Sequence, residues 1–197
     1  MAFNFNISLS VLNHLGRNLY RSFITVIGEA ISNSWDADAN NVYITIDRDS
    51  NTMSIVDDGI GMDDNDFQNK FLKIGYTKRK DGQVLSDKRR PFIGRKGIGK
   101  LALLSCAKEI EIASLKQGHK IIGGSINNSE LDTAIKDDIN SQDYKLGEIT
   151  DDVIKLLQQL EHGTAILFKD ISEGINNTID YIRKLIALNF KFSLLDK

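Results

Sequence analysis

Between Tyr20 and Asp36 the apolar residues recur at helical spacing. Tyr20, Ile24, Ile27, Ile31 and Trp35 fall on one side of a helix turning about 100° per residue. The pattern predicts a helix over roughly 19–36, ended by Asp38-Ala-Asn-Asn41. The period then changes to two. Val42-Tyr-Ile-Thr-Ile-Asp47 and Thr52-Met-Ser-Ile-Val56 flank the turn residues Asp49-Ser-Asn51 and read as a β-hairpin. Asp63 or Asp64 caps a helix running to about Leu72, and Gly97-Ile-Gly99 opens an apolar helix to Ala107. Glu109–Ala113, Lys120–Ile126 and Thr164–Phe168 read as strands, Asp151–Leu160 and Ile175–Phe190 as helices. Ala2–Ser8 alternates like a short strand and forms an N-terminal arm, with Ser8 or Ser10 capping a short helix to about Leu15. The rest of 127–160 is polar and without period; it reads as a variable insertion with room for a strand pair. This order predicts an α+β domain over 1–197, a mixed sheet with helices packed on one face.

The polar side of the first helix changes that picture. Glu29, Asn33 and Asp36 share the face opposite the apolar stripe, and no Lys or Arg occurs between Ile24 and Ala39. An acidic pair on a helix is ordinarily a solvated face. A carboxylate and a neutral amide one turn apart can also hold a water and a metal side by side. Asp57-Asp-Gly-Ile-Gly61 stands at the mouth of a strand, where glycines let backbone approach a flat ligand and a carboxylate can accept from an exocyclic amine. Alone, it reads equally well as a plain Asp-Gly turn.

Gly94-Arg-Lys-Gly-Ile-Gly99 precedes a helix, whose free N–H groups can hold phosphates. Gly94–Lys100 also matches the first seven positions of a P-loop, but Leu101 stands where Ser or Thr should bind magnesium, and Lys-Arg-Arg-Pro-Phe-Ile93 is no buried strand. Eight Lys and Arg between Lys78 and Lys96 crowd a segment without period (75–96), either a solvated loop or a lid that neutralises phosphates as it closes.

Composition narrows the class. At 197 residues, 41% hydrophobic and 26% charged, the chain has the profile of a soluble globular protein. A net charge of -2 argues against a domain-wide nucleic-acid surface. The single cysteine, Cys106, excludes an internal disulfide, lies in an apolar run as a structural thiol, and fits the cytoplasm. No apolar run approaches the roughly 20 residues of a membrane span. His14, His119 and His162 are dispersed and lack metal-ligand spacing.

Together, Glu29-x-x-x-Asn33 with Asp36-Ala37, Asp57-x-Gly59-x-Gly61-Met62, Gly94-x-x-Gly97-x-Gly99 and Gly163-Thr164 resemble the GHKL ATPases, which include gyrase B, heat-shock-ninety chaperones, sensor histidine kinases, MutL and MORC proteins. The pattern is most similar to the heat-shock-ninety, MutL and MORC members. The resemblance implies the Bergerat fold, a two-layer α/β sandwich binding ATP and Mg²⁺. By position it implies Glu29 as general base, Asn33 as Mg²⁺ ligand and Asp57 as acceptor of the adenine amine. Gly61 and Met62 would line the adenine, Thr164 would support Asp57, and the amides of Gly97, Ile98, Gly99 and Lys100 would hold the phosphates. Thr77 and Lys78 stand where the family's lid begins. The resemblance also implies an ATP-dependent homodimer through the arm and a downstream transducer domain, this chain being the N-terminal part of a larger protein with slow turnover alone. A non-hydrolysing ATP-gated interaction module is the alternative; a histidine kinase using His14 and a P-loop NTPase using Lys100 rank below it.

Overall fold

The computed structural model describes residues 23–74, 76, 84–94, 103, 106–137, 139, 143–171 and 179–189. The arm, residues 19–22, Thr77, Lys78, the 97–100 loop and most of the helix expected after it lie outside the described residues. The amphipathic stripe becomes helix α1 (Phe23–Asp36), and the alternating pair becomes the hairpin β1 (Val42–Asp47) and β2 (Thr52–Asp57). Asp63 proves to be the cap of α2 (Asp64–Asp66), its carboxylate accepting from the Asp66 amide at 2.8 Å. That turn widens at once into a π-helical turn, Phe67–Phe71, in which the Leu72 amide reaches back to Phe67 and the two phenylalanine rings stack. β3 (Ala107–Leu115) and β4 (Ile122–Asn127) form a second hairpin, followed by α3 (Asn128–Lys136), α4 (Asp151–Leu157), β5 (Gly163–Ile171) and α5 (Ile179–Asn189).

The sheet order is β1-β2-β5-β3-β4, and every pairing among these strands is antiparallel. The α+β class holds. The mixed sheet expected from sequence is replaced by an antiparallel one, because β5 returns between the two hairpins and runs against both β2 and β3. Its side chains alternate between two cores, as a pleated strand requires. Ile166 and Phe168 meet Met53, Ile55, Ile110 and Ile112 under α1 and α5, while Ala165 and Leu167 meet Val56, Ala113, Val153 and Leu157 under α4. Helices therefore cover both faces, not one. Fully buried Phe168, Ile27 and Met53 each contribute about 2 kcal/mol of burial free energy to the larger core.

The polar stretch after β4, read from sequence as a variable insertion, holds a helix. The Asn127 side chain accepts from the Ser129 and Glu130 amides and starts α3, which buries Leu131 and Ala134. Gly147 adds only a single bridge to Ser125 on the outer edge of β4. Among the described residues no helix is long and apolar enough to cross a membrane.

Candidate functional site

Strand register assembles a polar row that no local pattern announces. Asp57 lies opposite Thr164, and Thr164 opposite Ser114, on three adjacent strands. Their parity puts all three on the α1 face, one row beyond Ile55, Ile166 and Ile112. The Ser34 hydroxyl, buried on α1, donates to Asp57 Oδ2 at 2.8 Å, and the Gly59 amide donates to Oδ1 at 2.9 Å. Burial pushes the Asp57 carboxyl above its usual range, and the Asp58 charge adds to this; the Gly59, Ser34 and Thr164 hydrogen bonds act against it. Asp58 has a different job. It accepts from the Asn40 and Asn41 amides at 2.6 and 2.8 Å and locks the loop after α1.

Close backbone contact explains two glycines here. A Cβ on Gly59 would lie 2.8 Å from Asp57 Oδ1 and 2.9 Å from Ala37 Cβ. Gly61 has φ +66°, and a Cβ there would stand 1.9 Å from the Leu115 carbonyl oxygen. Ala37 adds its carbonyl, which accepts from the Ile60 amide at 2.9 Å. The Met62 amide donates to Ser114 Oγ at 3.0 Å, joining the glycine segment to β3.

Along α1 the polar face is divided. Glu29 is half-buried, and burial first, then the Asp36 charge two turns along, raises its carboxyl pKa. No hydrogen bond from a described residue engages the Glu29 carboxylate or the Asn33 amide. Asp36 is engaged: its carboxylate accepts from the Ile93 amide at 2.8 Å and the Gly94 amide at 3.1 Å. Gly94 thus has a carboxylate for its N–H, and a Cβ there would meet Asp36 Oδ2 at 2.7 Å. Gly94, expected at the nucleotide site as part of the glycine-rich segment, also ties residues 84–94 to α1.

The basic segment is likewise held. Lys88 Nζ donates to the Asp38 carbonyl at 2.9 Å, and Arg90 Nη1 to the Ala39 carbonyl at 2.5 Å. The Arg90 guanidinium lies over the Trp35 ring, 4.9 Å from its centroid, and Trp35 Nε1 donates to the Pro91 carbonyl at 3.0 Å. Residues 84–94 are a strap on the C-terminal end of α1, and these two cations serve the strap.

Three residues escaped the sequence reading. Ser34 is one position past Asn33 and looks like any helix serine. Ser114 sits in an apolar strand, where a lone buried hydroxyl is the only signal. His162, read as dispersed, has its Nδ1 2.6 Å from the Gly59 carbonyl oxygen. Cys106 behaves as expected: burial pushes its thiol up to about 12, too high for a nucleophile. Among the described residues no group of three or more His, Cys, Asp and Glu side chains could hold a metal. Asn33 remains a fitting single ligand for a hard cation that draws most of its oxygens from phosphate and water.

Residues 20–164 match the family described as histidine kinase-, DNA gyrase B-, and HSP90-like ATPase. A protein of Herpetosiphon aurantiacus, named "Putative type II restriction enzyme HgiDII", is 34% identical over 191 residues. That alignment takes in 95% of this chain and 29% of the relative, so the chain spans under a third of the relative's length.

Proposed function

The chain belongs to the histidine kinase-, DNA gyrase B- and HSP90-like ATPases, a family of ATP-binding domains, and on that premise we propose that it binds Mg-ATP at the Asp57 row and hydrolyses it from Glu29. The observation that carries the reading is Asp57 itself. It is a buried carboxylate with its Ser34 and Gly59 donors already in place, and it has acceptor capacity left for an exocyclic amine. An aspartate so fixed selects adenine, because the 6-oxo group of guanine would face it with a second acceptor.

Glu29 is the proposed general base. Its carboxyl is raised toward the operating pH by burial and by Asp36, as proton abstraction from water requires. Asn33, one turn on, would hold Mg²⁺, which when bound supplies charge neutralisation between the phosphates. Thr77, Lys78 and the amides of Gly97, Ile98, Gly99 and Lys100 are proposed to enclose the phosphates. The strap keeps the described part of the basic segment, residues 84–94, against α1.

The HgiDII relative extends well beyond the aligned segment, which favours a longer protein in which this domain is the motor. We infer a downstream transducer, ATP-dependent pairing of two copies, work in the cytoplasm and, from the relative's printed name, a nucleic-acid substrate handled by the other segments. The alternative, an ATP-gated switch without turnover, differs in one measurable way. Titration calorimetry and phosphate release on wild type, Asp57→Asn and Glu29→Gln decide the matter. Binding lost in Asp57→Asn, with turnover alone lost in Glu29→Gln, supports the proposal. ATP binding untouched by Asp57→Asn overturns it, and binding without any phosphate release by wild type leaves the switch.

A further inference from the structure

Ser114 has more hydrogen-bond contacts than one hydroxyl can serve at will, and this fixes the direction of each. Its Oγ lies 3.0 Å from the Met62 amide nitrogen, 3.0 Å from the Gly163 carbonyl oxygen and 2.9 Å from Thr164 Oγ1. An amide can only donate and a carbonyl can only accept. Keeping all three contacts as hydrogen bonds directs the one Ser114 proton to the Gly163 carbonyl and has Met62 donate to Ser114. The remaining contact has one consistent polarity: Thr164 donates its proton to Ser114 Oγ.

Thr164 then has no proton left for anything else, only lone pairs. It stands directly opposite Asp57 across the strand pair, partly exposed, on the face where the ligand is proposed to lie. We infer that Ser114 is a specificity-determining residue. By accepting the Thr164 hydrogen bond it leaves Thr164 Oγ1 as a second acceptor beside Asp57, so the pocket wants a donor, an amine at purine position 6 or a water that relays one, and rejects a 6-oxo group. This inference rests on the adenine reading of Asp57 and adds to it a cause lying two strands away. Burial favours the arrangement, because Ser114 is inaccessible to solvent and no water can substitute for its partners.

The test is the ratio of affinities for Mg-ATP and Mg-inosine triphosphate, which differ at position 6 as amine and carbonyl. Wild type prefers ATP. Thr164→Val, close to isosteric, loses ATP affinity more than inosine triphosphate affinity and narrows the preference by about tenfold, one hydrogen bond's worth. Ser114→Ala frees the Thr164 hydroxyl to turn and donate, and narrows it similarly. The double variant matches Thr164→Val alone. A wider preference in Thr164→Val, showing the hydroxyl to be a donor, overturns the inference, as does a Ser114→Ala variant that weakens both nucleotides equally. If Ser114→Ala does not fold, as thermal melting would report, Thr164→Val still reads the polarity. Wild type binding both nucleotides equally would instead sink the adenine reading of Asp57.

Discussion

Glu111 offers a sharp test of how α4 is attached. Its side chain is fully buried on the α4 face of β3, an expensive place for a carboxylate without partners. Thr150, the residue capping α4, donates its amide to Glu111 Oε2 at 2.7 Å, and its hydroxyl lies 2.9–3.0 Å from the two carboxylate oxygens. Lys169 Nζ completes the set at 2.5 Å. Burial alone would raise the Glu111 pKa; the Lys169 and Thr150 bonds more than offset it and hold the carboxyl below its usual range. Glu111→Ala removes all of these bonds and strands the Thr150 amide. Breaking a buried ion pair costs about 3–5 kcal/mol. Lys169, however, is a quarter exposed and keeps Glu109 and Asp152 at 3.9 Å, which argues for about 2–3 kcal/mol here. In a domain of this size that lowers Tm by about 4–12 °C, read by circular dichroism. Glu111→Gln falls between wild type and alanine. Because the folded pKa is depressed, the carboxylate's contribution is complete above the unfolded pKa of about 4.3 and is lost as pH falls through the folded value. The gap between wild type and Glu111→Gln must therefore shrink below about pH 4.3. A Glu111→Ala melting point within about 2 °C of wild type would refute the claim that this carboxylate anchors α4.

Three further outcomes are expected. Glu29→Gln lowers phosphate release about 10²–10⁴-fold while Mg-ATP affinity stays within a few-fold, checked by coupled assay and calorimetry; a parallel loss of both would remove Glu29 from its catalytic role. Gly59→Ala drives a methyl against Asp57 Oδ1 and Ala37, so nucleotide affinity falls at least tenfold with about 1–3 kcal/mol of stability, and an unaffected affinity would show that the glycine segment yields freely. Arg90→Ala removes the cation over Trp35, the chain's one tryptophan, and loosens the strap at a cost of about 0.5–1 kcal/mol; intrinsic fluorescence should change in intensity and wavelength, and an unchanged spectrum would place the strap elsewhere in solution.

What the sequence made legible was local. The stripe from Ile24 to Trp35 and the alternation through Val42–Val56 need only neighbours along the chain, and α1, β1 and β2 follow them. Asp57 and its glycines were readable because the chemistry is contiguous. Ser114 could not be found in this way, since its importance comes from lying two strands from Asp57, a fact of register between segments some fifty residues apart. The second helical layer was missed for a related reason: Val153 and Leu157 show that α4 has an apolar side, but not which face of the sheet it covers. The Ala165-Ile-Leu-Phe168 run did carry a clue, apolar on both parities as a central strand between two cores must be. The strap was obscured by charge, because Lys88 and Arg90 look like free cations until the carbonyls they reach are seen.

The central place of β5 has a consequence for how the molecule comes into being. Every other described strand leaves the ribosome earlier, yet the two hairpins have no edge in common until residues 163–171 slot between them. Long-range closure of this kind is slow, and it leaves two half-sheets with open edges in the interim. Thr164 arrives with that same strand, so the row it shares with Asp57 and Ser114 cannot exist in a partly made chain. Nucleotide binding at the proposed site would therefore reward only copies in which β5 has docked, and ATP would act on them as a folding ligand.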